Sequence, residues 1–190
     1  MNDARGRAVC PKLLRDASRG ARGGTLAEVY EPHSHCSWCG QRYEDPAWPR
    51  ACSRCGNTTW LNPTPVGVLI VPVDDGALLV RRGIEPRRGE LALPGGYIAF
   101  GESWQQGAAR ELFEETGVAV DPADVRELMV ASPPRGNVVL IFGVSPPLAE
   151  RDLPPFAPND ETLERVITRV AIELAFPLHT LALARFFGGR

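Results

Sequence analysis

The sequence predicts an α+β protein, a domain with strands mostly in hairpins and hence an antiparallel or mixed sheet, preceded by a small cysteine-stapled module. Three observations carry this expectation. Two Cys-x-x-Cys pairs fall between His33 and Trp60; from Val66 onward apolar runs of strand length alternate with turn residues; and Ser103 to Thr116 has helical length with start and stop signals. At 190 residues with 44% hydrophobic side chains, the chain suits one ordinary domain plus an appendage.

Taken in order, residues 1–32 are rich in arginine and glycine without apolar period and are expected to form a disordered extension carrying a lone thiol, Cys10. Residues 33–60 are too few to bury a core unaided and need a staple. LNPTP reads as a stiff linker into the main domain, residues 61–190. VGVLIVPV and ALLVRRG, separated by Asp74-Asp75-Gly76, read as a β-hairpin, with Pro72 marking an edge or bulge. LALPGGYI is a short strand interrupted by Pro94-Gly95-Gly96. The helix follows, opened by Glu102 and Ser103 and closed by Gly117. VRELMVAS and NVVLIFGVS form a second strand pair across PPRG; RVITRV is a last strand; a final helix begins near Pro177.

A net charge of −2 gives no global attraction toward nucleic acid or a membrane. No apolar run approaches the roughly 18 residues a membrane span needs, and no apolar signal core follows the basic start, so a cytoplasmic location is expected.

Cys36-x-x-Cys39, twelve residues, Cys52-x-x-Cys55 has the spacing of a zinc ribbon, in which two tight turns complete a tetrahedron of thiolates. Four protein ligands leave no open position, so the expected Zn²⁺ is structural. A glycine after each pair, Gly40 and Gly56, suits such turns. His33 and His35 are read as exposed, and Trp38, Trp48 and Trp60 as packing inside the small module. The region mixes acids with its arginines, which argues against nucleic acid as its partner.

The predicted helix raises a sharper question. At 100° per residue, Glu111, Glu114 and Glu115 share one face, whereas Ala108, Ala109, Leu112 and Phe113 fall on the side expected to face the core. Like charges at these spacings repel, and Arg110 cannot neutralise three of them. A hard divalent cation such as Mg²⁺ takes carboxylate and carbonyl oxygens, and a Gly-Gly turn lets a backbone carbonyl approach it.

Gly96, five residues, Glu102, seven residues, Arg110-Glu111-Leu112, one residue, Glu114-Glu115, one residue, Gly117-Val118 resembles the Nudix box at every defined position. The resemblance spans about residues 35–187. It implies a Nudix α/β/α sandwich with a mixed sheet, and a hydrolase acting on the phosphoric anhydride of a nucleoside diphosphate derivative with Mg²⁺ or Mn²⁺. It further implies that Glu111 and Glu115 bind metal, that Glu114 and the Gly96 carbonyl assist, and that Arg110 braces Glu102 and the helix acids. The general base is either Glu111 or a glutamate of the NDETLER segment, Glu161 or Glu164, which precedes the last strand.

Short ribbon-Nudix proteins are similar in WLNPTPVGVLIV, RRGIEPRRGELALPGGY and ELAFPLHTLALARFF. The NADH pyrophosphatases also join a ribbon to this domain, but their SQPWPFP-like signature survives here only as fragments within VASPPRGNVV. Pro133 and Pro134 lie where ADP-ribose hydrolases of the family often carry a proline, so ADP-ribose or FAD leads NADH and NAD-capped RNA. Of Arg81, Arg82, Arg87 and Arg88, which flank the loop before the Gly-Gly turn, Arg81 or Arg82 is expected to hold substrate phosphate or base. A nucleotide-sugar sensor usually adds a DNA-binding module or loses catalytic glutamates, and neither is seen. Family members are often homodimers, although no segment here marks a dimer surface.

Overall fold

The computed structural model describes residues 32–189. All but the last residue of the expected extension, Cys10 included, lies outside them. The described chain divides between Thr59 and Trp60 into two compact units.

In the first unit, two knuckle turns repeat one hydrogen-bond pattern. Gly40 N–H donates to Cys36 O and Gly56 N–H to Cys52 O, each at 2.9 Å. Both glycines have φ near +72°, a conformation that costs a side-chain-bearing residue about 1–2 kcal/mol. Strands β1 (Arg50–Ala51) and β2 (Thr58–Thr59) pair antiparallel across the second knuckle. Arg50 is buried: its guanidinium stacks on Trp48 with 4.4 Å to the ring centroid and donates to the carbonyls of His33 and Pro46. The tryptophan expectation holds in part, because Trp38 is 61% exposed and Trp60 65% exposed. With so few residues the arginine stack takes the place of an apolar core, and Trp48 alone of the three is drawn into it.

The second unit is built on β3 (Thr64–Ile70), β4 (Pro72–Val73), β5 (Gly76–Arg82), β6 (Leu91–Ala92), β7 (Gly95–Tyr97), helix α1 (Trp104–Thr116), β8 (Arg126–Ala131), β9 (Val138–Val144), β10 (Thr162–Thr168) and helix α2 (Pro177–Gly188). One sheet runs β7-β3-β9-β8; the other runs β10-β5-β4, with β6 also on β5. Strand β3 pairs in parallel with β9 along its whole length and antiparallel with β7. One mixed sheet and one antiparallel sheet therefore lie between two helices, as the α+β expectation requires.

One expectation is corrected here. Val66 to Ile70 does not form a hairpin with β5; the chain leaves the first sheet at Val71, and Pro72–Val73 alone pairs with Gly76–Ala77. The reason is burial on both faces. Val68 and Ile70 enter the core under α2 with Leu79, Phe142 and Leu183, whereas Leu69 and Val71 enter the core under α1 with Leu78, Ala108 and Leu112. A strand apolar on both sides is best buried at a sheet centre with a parallel neighbour, not in a two-stranded ribbon. Pro72, lacking an N–H, sits in the terminal strand of its sheet.

Helix α1 begins with a capping box: Ser103 Oγ accepts from Gln106 N–H, and the Gln106 side chain accepts from Ser103 N–H. It ends at Gly117 in the left-handed region. Ala108 and Leu112 are fully buried, but Phe113 is 56% exposed rather than packed in the core. Phe113 lies 100° round from Leu112, and the inward position one turn on is filled by Glu115 and Thr116.

Candidate active site

Glu111, Glu114 and Glu115 project from one face of α1 into three different environments. Glu114 is exposed, Glu111 is partly buried, and Glu115 is 8% exposed. Arg110 gathers the neighbouring acids. Its Nε donates to Glu102 at 2.8 Å and a terminal nitrogen to the other Glu102 oxygen at 3.0 Å, while the other terminal nitrogen reaches Glu111 at 2.8 Å and Glu114 at 3.2 Å. It also donates to Tyr97 O, fastening the helix to the end of β7. The Arg110 ion pairs hold the Glu102 carboxyl below the usual carboxylate range and push the guanidinium's own pKa up.

Among the described residues Glu115 has no such ion pair. It accepts one hydrogen bond, from Gly95 N–H at 2.9 Å. Burial pushes its pKa up to about 8; the Gly95 donor and the charge of Arg82 oppose this, and the charges of Glu111 and Glu161 add to it. Burial likewise raises Glu111, against the pull of Arg110 and with the push of Glu114 and Glu161. A carboxylate taken out of water without a cation holds its proton. Arg110 answers the charge of Glu111, whereas Glu115 makes no ion pair among the described residues, so a cation arriving at this face would meet an unpaired carboxyl.

Gly96 closes the site from the sheet side. A Cβ at Gly96 would lie 2.5 Å from the Glu111 carboxyl, so a side chain here would displace that carboxyl from its place against the backbone. The segment leading into the Gly-Gly strand is tied to α2: Leu93 N–H donates to His179 Nδ1 at 3.3 Å. Burial, with the charge of Arg82, pushes His179 down to about 4, so the ring is neutral and its Nδ1 is an acceptor. Phe142 and Phe176 flank this imidazole. Neither His179 nor the Gly95 amide was legible beforehand, because both act through contacts between elements far apart in sequence.

The NDETLER segment divides. Glu161 sits in the turn before β10, exposed, and near enough for its charge to raise both Glu111 and Glu115. Glu164 lies inside β10 rather than before it, and pairs with Arg81 at 2.7 Å. The register explains the difference: Glu164 stands opposite Arg81 across the β5–β10 ladder, on the far side of a bulge from Thr162. Arg81 also donates to Gly89 O. Arg82 donates to Pro86 O, lies 5.0 Å above the Phe176 ring, and is the cation whose charge Glu115 feels. Arg87 pairs with Glu90 within the exposed loop.

In the first unit, the four thiols of Cys36, Cys39, Cys52 and Cys55 lie within 4.8 Å of one another. The Cys36–Cys55 and Cys39–Cys52 sulfurs are 3.7 and 3.6 Å apart. Zinc–sulfur bonds of ~2.3 Å give a tetrahedral edge of about 3.8 Å, so this donor set fits a four-coordinate ion. His33 and His35 are exposed and stand outside the group.

A family model described as "NUDIX domain" matches residues 63–184. The chain belongs to the NUDIX family. The chain is 33% identical over 116 residues to the NAD-capped RNA hydrolase NudC of Edwardsiella ictaluri, covering 57% of this chain and 45% of that protein. The corresponding Escherichia coli protein is 32% identical over 101 residues, covering 52% and 39%. The chain thus spans less than half the length of these curated relatives. Among solved structures, a NUDIX hydrolase from Nitrosomonas europaea superposes with a TM-score of 0.66 at 26% identity, covering 83% of this chain and 92% of that one. A MutT protein from Methanosarcina mazei shares the fold, with a TM-score of 0.52 at 22% identity over 67% and 95% of the two chains. Among the described residues no helix is long and apolar enough to cross a membrane.

Proposed function

We propose that this NUDIX protein is a divalent-metal-dependent pyrophosphohydrolase that splits a diphosphate joining a nucleoside monophosphate to a second moiety. The observation that carries the reading is geometric: buried Glu115, held by Gly95 N–H, lies on one helix face with Glu111, whose carboxyl stands against the Gly96 backbone, and Glu115 makes no ion pair among the described residues. In this reading Glu111, Glu114, Glu115 and the Gly96 carbonyl hold the ion. Mg²⁺ or Mn²⁺ bound there would polarise phosphorus, neutralise charge on the phosphate oxygens and acidify a water. Arg110, tied to Glu102 and Tyr97 O, keeps the carboxylates in register and does not touch substrate.

Glu161 is the general base. Glu111 is committed to Arg110 and the ion, and Glu164 to Arg81, whereas Glu161 faces the carboxylates with no ion pair of its own among those described. Arg82 is the phosphate-holding or base-stacking residue, since it lies on the side from which Glu115 feels positive charge. The cysteine quartet holds a structural Zn²⁺.

For the substrate, the sequence features favour ADP-ribose or FAD, while the curated relatives, named as NAD-capped RNA hydrolases, favour a dinucleotide with the same AMP half. Purified protein with Mg²⁺ is expected to release AMP from at least one of ADP-ribose, FAD and NADH, with release lost in Glu115→Gln. NMN release from NAD-capped RNA would select the second reading. Wild-type protein that hydrolyses none of a broad diphosphate panel, with the fold intact, would overturn the enzyme reading.

A further inference from the structure

The last turn of a helix leaves carbonyls without intrahelical donors, and in α1 those carbonyls stand directly behind the carboxylate face. Phe113 O takes Gly117 N–H and Thr116 O takes the Arg165 guanidinium at 3.0 Å. The N–H that would serve Glu114 O, that of Val118, goes instead to Thr116 Oγ1. Glu114 O is filled from the segment that leads into β10, by Asn159 Nδ2 at 3.1 Å.

The other end of the same amide is also engaged. Asn159 Oδ1 accepts from Glu161 N–H at 3.0 Å and from Thr162 N–H at 2.7 Å, and Asn159 N–H donates to Thr162 O at 2.9 Å. Two N–H donors on one atom and a carbonyl acceptor on the other fix which end of the side chain is oxygen. The turn is held on its far side as well, where Gly83 N–H donates to Glu161 O at 2.7 Å. Thr162 is fully buried and anchors the turn, whereas Glu161 beside it is exposed and carries the charge that Glu111 and Glu115 feel.

We infer that Asn159 is a positioning residue: one amide clamps the Glu161 turn to the helix that bears the metal face, so that base and carboxylates keep one spacing. A merely capping role would need the donor to Glu114 O alone. The two acceptor bonds to the residues on which Glu161 depends are what point further. The inference rests on the reading of Glu161 as the base.

The test is a double-mutant cycle of Asn159→Ala and Glu161→Gln, assayed by AMP release from whichever of ADP-ribose, FAD and NADH the wild-type chain turns over fastest. Amide hydrogen exchange at Glu161 and Thr162 is measured on the same proteins. Asn159→Ala is expected to lower kcat roughly 10- to 100-fold, as misplacing a reacting group by about an ångström does, with KM little changed. It should add nothing to Glu161→Gln, and it should speed exchange at both amides. Effects that multiply in the double variant would show that Asn159 acts independently of Glu161 and overturn the inference, as would unchanged exchange. A Glu161→Gln protein with wild-type kcat, or a wild-type chain that turns over none of the three, would sink the base or substrate reading instead, and exchange would still judge the clamp. Should Asn159→Ala not fold, Asn159→Asp keeps the acceptor but replaces the donor to Glu114 O by a charged oxygen; wild-type kcat in that variant would equally overturn the inference.

Discussion

The two candidate metal sites of this chain are built on opposite plans. In the cysteine quartet two copies of one local turn bring four thiols within 4.8 Å of one another, two of them buried, one half-buried and one exposed, and all four come from the small unit itself. On α1 the three glutamates are chemically identical but stand in graded surroundings: exposed Glu114, Arg110-bound Glu111, and buried Glu115 with a backbone donor. A closed set of like donors holds an ion and leaves it no chemistry to do. Graded carboxylates beside a glycine turn hold an ion while leaving part of its shell to substrate oxygens. The difference teaches that a site for turnover is recognisable by a donor set that leaves part of an ion's shell open, since burial is uneven in both sets.

The largest expected break of that contrast is Glu115→Gln. It should lower kcat/KM by roughly 10³-fold, the several kcal/mol that a bound cation contributes to the transition state. It should also raise the melting temperature of the Mg²⁺-free protein above neutral pH, because a neutral amide replaces the buried carboxylate while still accepting from Gly95. Kinetics and thermal denaturation of the one variant read both effects.

Second in size is Glu161→Gln against Glu164→Gln. The first should cost about 10²-fold in kcat, in the range of general-base catalysis. The second should cost less than about threefold, since the Arg81–Glu164 pair is solvent-exposed and such pairs contribute about 0–1 kcal/mol. Equal losses in the two variants would remove the distinction drawn between turn and strand.

A third test separates the two sites. Cys39→Ser should abolish Zn²⁺ retention by the quartet, measured by elemental analysis, while kcat for AMP release changes less than about threefold, as expected for a structural ion in a unit of its own. A collapse of turnover with the zinc would show that the small unit is part of the catalytic machinery.

The remaining test is a pH dependence. Glu115 holds its proton to about pH 8 in the folded chain but only to the ordinary carboxylate range when unfolded. Between these limits the folded state binds more protons, so the Mg²⁺-free fold loses stability as pH rises through that window. A cation replaces that proton, so Mg²⁺ affinity should rise with pH up to about 8. Thermal melts at several pH values with and without Mg²⁺, and titration calorimetry in buffers of different ionisation heat, would reveal the trend. Glu115→Gln should flatten both.

Much of the candidate site could be read before any coordinates. The quartet follows from spacing alone, because each Cys-x-x-Cys pair and its glycine is a self-contained turn. The face shared by Glu111, Glu114 and Glu115 follows from the 3.6-residue period, and the limits of α1 from Ser103 and Gly117. These are local facts, decided within a few residues of chain. What lay beyond reach was long-range. Phe113 faces outward and Glu115 inward because the surface that α1 meets decides which of two adjacent flanks is covered. Val66 to Ile70 pairs with β9 instead of closing a hairpin because both its faces can be buried only between two helices. Glu161 and Glu164 are alike in sequence and differ because one stands in a turn clamped by Asn159 and the other stands opposite Arg81. The sequence by itself determined which side chains carry charge and where the chain turns; only the tertiary structure decided which charges lose their water, because desolvation depends on neighbours that the chain brings from a distance.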